Sequence, residues 1–164
     1  MHERTMTELY PSRTVVVWAA AERRAEAHAL AERLGVECLA EMPPETDRLA
    51  LVLDPERLQM QWSDPRAPGA VHAEFVRGRA GWRARTPSPR DEALARAAGL
   101  RGNYRPTVID TTAGLGRDGF LLAGFGCRVT LIERHPVVAA VLRDGLTRAT
   151  AAPSTAETSQ RIEL

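Results

Sequence analysis

The sequence predicts an α/β protein in which a small α+β layer precedes the opening strands of a doubly wound parallel sheet. Three observations lead there. Apolar β-branched runs alternate with Ala-, Glu- and Arg-rich stretches; residues 107–134 read as strand, glycine-containing turn, helix and strand; and an acidic residue closes the second of those strands. With 164 residues, 44% hydrophobic and 26% charged, the chain has the size of one ordinary domain or slightly more. That composition excludes the disordered, collagen-like and disulfide-stapled classes.

Residues 14–18 (TVVVW) are β-branched and apolar and predict a buried strand. Residues 20–34 are strong helix formers, with Ala27, Leu30, Ala31 and Leu34 as one apolar stripe and Gly35 where a left-handed C-terminal cap is wanted. His28 has no ligand-type partner at helical spacing and reads as a structural histidine. Residues 49–53 (LALVL) predict a second strand, which Asp54 and Pro55 break. Leu58, Met60 and Trp62 then alternate with polar residues in a half-buried strand pattern. A further strand is predicted over residues 71–76, running on to about residue 79, from alternation of Val, Ala and Phe with polar neighbours.

Cys38 and Cys127 lie far apart, without CxxC or Cys/His ligand spacing, so no zinc site, no other metal and no oxidising compartment are expected. The opening MHERTMTELYPSR lacks the apolar centre of a signal peptide. No run approaches the roughly 18 apolar residues of a membrane span. The expected place is the cytoplasm, with no membrane partner.

All 22 basic residues are arginine, most simply a base-composition bias of the gene. The net charge of +1 conceals segregation: residues 1–64 carry 7 Arg against 12 acids, residues 65–109 carry 9 against 3, and residues 110–164 balance at 6 and 6. The basic centre runs through Arg77, Arg79, Arg83, Arg85, Arg90, Arg96, Arg101 and Arg105, with Trp82 and Tyr104 as aromatic faces. Guanidinium forks bind phosphates and aromatic rings stack unpaired bases, so single-stranded or looped RNA fits, with Arg77, Arg79, Arg83 and Arg85 as candidate contacts. The alternative is a solvated charged face in an arginine-biased protein. Within this stretch Ser88-Pro89-Arg90-Asp91 reads as a capping box opening a short helix over residues 90–98, ended by Gly99.

Residues 107–134 carry the chemistry. Val108 and Ile109 supply a buried parallel strand; Asp110 to Gly116 form the turn, where Gly114 and Gly116 let backbone approach a ligand. Phe120, Leu121 and Leu122 pack the helix, and Glu133 follows the second strand. A carboxylate there can accept hydrogen bonds from both hydroxyls of a ribose. Residues 114–119 match the letters GxGxxG of a dinucleotide site, yet Asp118 places negative charge at a helix start where a pyrophosphate needs neutral amides. Asp110 beside that turn suits instead a ligand with a cationic amino group and no phosphates, as in S-adenosylmethionine.

The run DTTAGLGRD (110–118), then GCRV (126–129) and ERHPVVAA (133–140), resembles the bacterial small-subunit (16S) ribosomal RNA guanine-N2 methyltransferases of the J type. A looser likeness extends to residues 51–55, 75–76 and 93–104, so that it covers most of residues 49–149, while the first 48 match only in pattern. The resemblance implies a Rossmann-like S-adenosylmethionine-dependent methyltransferase fold. It implies cofactor binding by Asp110, Gly114, Gly116, the pair Arg117 and Asp118, and the pair Glu133 and Arg134. Its implied substrate is the exocyclic N2 of a guanine in 16S ribosomal RNA or the small ribosomal subunit.

Two departures stand out. Where the family tends to be glycine-rich, residues 85–90 read RTPSPR, and no Asp-Pro-x-Phe-Pro segment of the kind that holds the target base occurs in the 164 residues. Past a helix over 137–148 and a small, polar stretch over 149–160, residues 161–164 read as the start of a third strand. The expectation is therefore the N-terminal part of such an enzyme: an α+β region over 1–104, an incomplete methyltransferase domain over 105–164, catalytic residues downstream of 164, and no methyl transfer by this chain alone. The rival readings are a non-catalytic RNA-binding module and an NAD-dependent oxidoreductase.

Overall fold

A computed structural model describes residues 15–41, 48–64, 66–78 and 93–164. Packing divides the chain into two units, Met1–His72 and Ala73–Leu164.

In the first unit, β1 (Val15–Ala19) lies between β2 (Glu37–Cys38) and β3 (Leu49–Leu53), parallel to both, and β4 (Leu58–Trp62) returns antiparallel to β3. The unbroken apolar run of β1 reflects its central place: Val16 and Val17 are fully buried. A 3-10 turn at Ala21–Arg23 leads into α1 (Arg24–Leu34), which buries the predicted stripe Ala27, Leu30, Ala31 and Leu34. Gly35 ends it at φ 66°, and the next amide, of Val36, donates to the carbonyl of Ala31. The break between β3 and β4 is an Asx turn, with Asp54 Oδ1 accepting the N–H groups of Glu56 and Arg57, both at 2.8 Å.

The strand predicted over residues 71–76 is not formed, and the end of its expected run-on, residue 79, lies outside the described residues. Val71 makes one antiparallel bridge with Met60, and residues 72–77 are irregular. The alternation is real in burial, since Ala73 and Phe75 are inside, but Glu74 curls the chain by accepting the N–H groups of Val76 and Arg77 at 2.8 and 3.0 Å. A side-chain acceptor has taken the amides a ladder would use.

In the second unit, α2 (Ala93–Ala97) precedes the parallel strands β5 (Thr107–Asp110), β6 (Arg128–Leu131) and β7 (Ile162–Glu163), in the order β5-β6-β7. The first two are joined by α3 (Arg117–Gly124), the last two by α4 (Pro136–Ala151) and α5 (Ala156–Ser159). The capping box and the start of the helix predicted over 90–98 lie outside the described residues. The expected third strand is present, pairing Val129 with Ile162. The small, polar stretch after α4 packs inward: Thr155 Oγ1 donates to the Ala149 carbonyl at 2.7 Å, and the Ser159 and Thr150 hydroxyls meet at 2.7 Å. The hydroxyls of Thr155 and Ser159, which donate to the Ala149 and Leu146 carbonyls of α4, are thereby buried. Val129 and Leu131 of the middle strand are inside, whereas Ile109, predicted buried, is 64% exposed; among the described residues β5 has a strand neighbour, β6, on one side only.

Candidate functional site

The turn between β5 and α3 is a network of main-chain and carboxylate hydrogen bonds at the carboxyl ends of β5 and β6. The Ile132 amide donates to the Asp110 carbonyl at 2.8 Å and the Ala113 amide to the Ile132 carbonyl at 3.2 Å, so the turn is stitched to the residue following β6. Gly116, at φ 72°, is the N-cap of α3, and its amide donates to the Ala113 carbonyl at 2.7 Å. A Cβ there would lie 2.5 Å from Leu142 Cδ1 and 3.4 Å from Phe75 Cζ. Both the left-handed backbone and the packed floor therefore demand glycine.

An open cleft of about 380 Å³ is lined by Asp110, Thr112, Ala113, Leu115, Arg117 and Asp118. It faces the carboxyl end of β5, the side on which open parallel sheets bind ligands. Asp110 Oδ1 accepts the Thr112 amide at 3.0 Å, which fixes the first carboxylate of the cleft. Asp118 sits in the first turn of α3, and no side chain caps that helix. A carboxylate there opposes a second anion at the helix start and accommodates a cationic group.

Of the residues singled out in the sequence, Asp110, Arg117 and Asp118 meet in the cleft, and Gly114 and Gly116 shape its turn. Glu133 is half-buried; Oε2 accepts the Gly114 amide at 2.9 Å and Oε1 the His135 amide at 2.7 Å. It therefore ties the turn to β6 and lies outside the residues that line the cleft, as does the exposed Arg134. Thr112 and Leu115, not singled out, also line the cleft; their position between Asp110 and Arg117 was the available signal. Of the four candidate RNA contacts, Arg77 is described, and Arg79, Arg83 and Arg85 lie outside the described residues, as does Trp82. Arg105 serves the fold: its guanidinium donates to the carbonyls of Gly102 at 2.8 Å, Tyr104 at 3.0 Å and Phe125 at 2.5 Å. Among the described residues no group of three or more His, Cys, Asp or Glu is placed to hold a metal, and no helix is long and apolar enough to cross a membrane.

A parallel sheet whose glycine turn presents carboxylates at the strand ends defines a nucleoside-cofactor protein, and a family model described as putative SAM-dependent methyltransferase matches residues 30–164. The chain belongs to that family. It is 44% identical over 153 residues to the ribosomal RNA small subunit methyltransferase J of Thioalkalivibrio sulfidiphilus, covering 93% of this chain and 59% of the relative. It is 55% identical over 101 residues to the protein of the same name from Haemophilus ducreyi, covering 62% and 40%. Among solved structures it is similar to a SAM-dependent methyltransferase of Neisseria gonorrhoeae, with a TM-score of 0.64 and 27% identity over 91% of this chain and 57% of that one. The chain thus spans about half the length of the relatives it matches.

Proposed function

We propose that this chain supplies the S-adenosylmethionine-binding part of a methyltransferase acting on the exocyclic N2 of a guanine in small-subunit (16S) ribosomal RNA. One observation carries the reading: a glycine turn held between the carboxyl ends of β5 and β6 opens onto a cleft bearing Asp110 and Asp118 beside Arg117. The names of the curated relatives supply the substrate.

S-adenosylmethionine, when bound, supplies an activated methyl on a sulfonium. The residues present fit its chemistry. Asp110 offers a carboxylate for the methionine ammonium, directly or through water. Glu133 already holds two amides, and each of its oxygens retains a lone pair for ribose hydroxyls. Leu115 adds an apolar wall, and Arg117, Asp118 and Arg134 complete the cofactor set proposed from the sequence. In-line transfer to an amine needs proximity and alignment more than a strong base, and these residues contribute by fixing the donor. The target base has to be unstacked to reach such a cleft, and the arginine-rich segment, with Arg77, Arg79, Arg83 and Arg85, is the proposed RNA-holding part. A ribosomal RNA substrate is the support for the cytoplasmic location expected from the sequence.

The 164 residues contain no Asp-Pro-x-Phe-Pro segment, and the chain by itself is expected to give no methyl transfer. Joining it to the part of the Thioalkalivibrio sulfidiphilus relative that it does not match tests the proposal. The chimera is expected to methylate 16S ribosomal RNA at a guanine N2; an inactive chimera beside an active parent would overturn it. The second reading, an RNA-binding module without catalysis, draws on the excess of 9 Arg over 3 acids in residues 65–109; it predicts RNA binding with no affinity for the cofactor.

A further inference from the structure

Residues 73–77, within the stretch whose pattern predicts a strand, form an irregular strap against α4. Its seat is glycine-dependent: a Cβ on Gly145 would lie 2.6 Å from Ala73 Cβ and 3.0 Å from the Ala73 carbonyl oxygen. One turn further along α4, Arg148 donates from Nη2 to that carbonyl at 2.5 Å and from Nε to Asp144 Oδ2 at 2.9 Å, and its Nη1 lies 3.5 Å from Glu74 Oε2. The other oxygen of Glu74 holds the amides of Val76 and Arg77. The strap is thus pinned on both sides of Phe75, by charged groups that reach it from α4 and from its own chain.

Phe75 is 1% exposed and stacks on Phe120 of α3, with centroids 4.3 Å apart and planes 12° from parallel. Its Cζ stands 3.4 Å from the point where a Cβ of Gly116 would be. The other floor residues under Gly116, Leu131 and Leu142, belong to β6 and α4 and are fixed by regular structure. Phe75 alone of the three sits on irregular chain, so its position depends on the Glu74 and Arg148 contacts.

We propose that Phe75 is a positioning residue for the 113–118 turn, and that the Glu74–Arg148–Asp144 contacts act on the cofactor site through it. That the turn holds a cofactor rests on the function proposed above; that Phe75 sets its conformation does not.

Hydrogen exchange on the full chain separates the two. The readout is the amides of Ala113, Gly114 and Gly116, each hydrogen-bonded within the turn network. In Glu74→Ala, which leaves every core side chain in place, they are expected to exchange about tenfold faster while those of Val129 and Leu131 in β6 keep their rates. Phe75→Leu is expected to do the same, and Glu74→Gln, which retains an acceptor for Val76 and Arg77 but gives up the charge facing Arg148, to lie between Glu74→Ala and the wild type. Unchanged turn amides in either Glu74→Ala or Phe75→Leu, or acceleration spread equally over β6, would overturn the proposal. Added S-adenosylhomocysteine is expected to slow these amides in the wild type. If it does not, while the variants still exchange faster, the positioning role stands and the cofactor reading fails.

Discussion

Glu133 Oε2 accepts the amide proton of Gly114 at 2.9 Å, so a carboxylate two residues past β6 holds the turn that follows β5. Its second oxygen holds the His135 amide at the entry to α4. One side chain thereby joins three elements, and hydrogen bonds to a charged acceptor contribute about 1.5–3 kcal/mol each when sheltered from water. Glu133 is only half-buried, so Glu133→Ala is expected to cost about 1–3 kcal/mol in all. Urea unfolding followed by circular dichroism measures it, and a loss below the resolution of that method would contradict the tie.

The two glycines of the turn are expected to respond differently to alanine. At Gly114, φ is 54° and the nearest atom to an added Cβ is the Thr112 carbonyl oxygen at 3.9 Å, leaving only the left-handed backbone penalty of about 1–2 kcal/mol. At Gly116 the same penalty adds to a contact of 2.5 Å with Leu142 Cδ1, in a floor that also contains Phe75 and Leu131. Overpacking of that kind costs about 1–3 kcal/mol more. Gly116→Ala should therefore lower the unfolding midpoint clearly further than Gly114→Ala; equal effects would mean that the floor yields freely.

The two thiols should react in a fixed order. Cys127 is fully buried and free, and burial pushes its thiol above the usual range, a shift that Arg105 partly opposes; Cys38 is partly exposed and also free. Native titration with a thiol reagent near neutral pH is expected to modify Cys38 promptly and Cys127 only after denaturant is added. The sign for stability follows from the raised folded value: the contribution of Cys127 is complete below the unfolded thiol value of about 8.5 and is lost as pH rises through the folded one. Cys127→Ala should flatten this alkaline decline.

RNA binding is expected to run through the arginine-rich segment. Each phosphate contact on a single strand contributes about 0.7 to the slope of log affinity against log salt. Replacing Arg77, Arg79, Arg83 and Arg85 together by alanine should reduce that slope by about 2–3 for a single-stranded RNA. An unchanged slope would make the segment a solvated charged face.

The sequence made the second unit legible because its signals were local. A β-branched run, a glycine turn, an apolar helix and a closing acid follow one another over residues 107–134, and the βαβ unit stands where they place it. The charge of Asp118 could likewise be weighed against a phosphate ligand without coordinates. What could not be read was set by contacts distant in sequence. Residues 71–76 alternate like a strand, yet Arg148, 75 positions after Ala73, takes the carbonyl that a ladder would have used. Glu133 could be placed at a strand end, but not its use as a brace for Gly114, since that depends on how β5 and β6 lie side by side. Ile109 reads as buried in the sequence because apolar strand residues usually are; its exposure follows from the place of β5 at the end of the described sheet.

A Gly114–Gly116 turn that is braced by Glu133 and binds an adenosyl cofactor should show it in calorimetric titration with S-adenosylhomocysteine, on the wild type and on Glu133→Ala, with NAD as a parallel ligand. One saturable site for S-adenosylhomocysteine is expected in the wild type, none for NAD, and affinity at least about tenfold weaker in Glu133→Ala, the equivalent of about 1.4 kcal/mol. Equal affinity in the two proteins, or no S-adenosylhomocysteine binding by a folded wild type, would contradict that role of the turn.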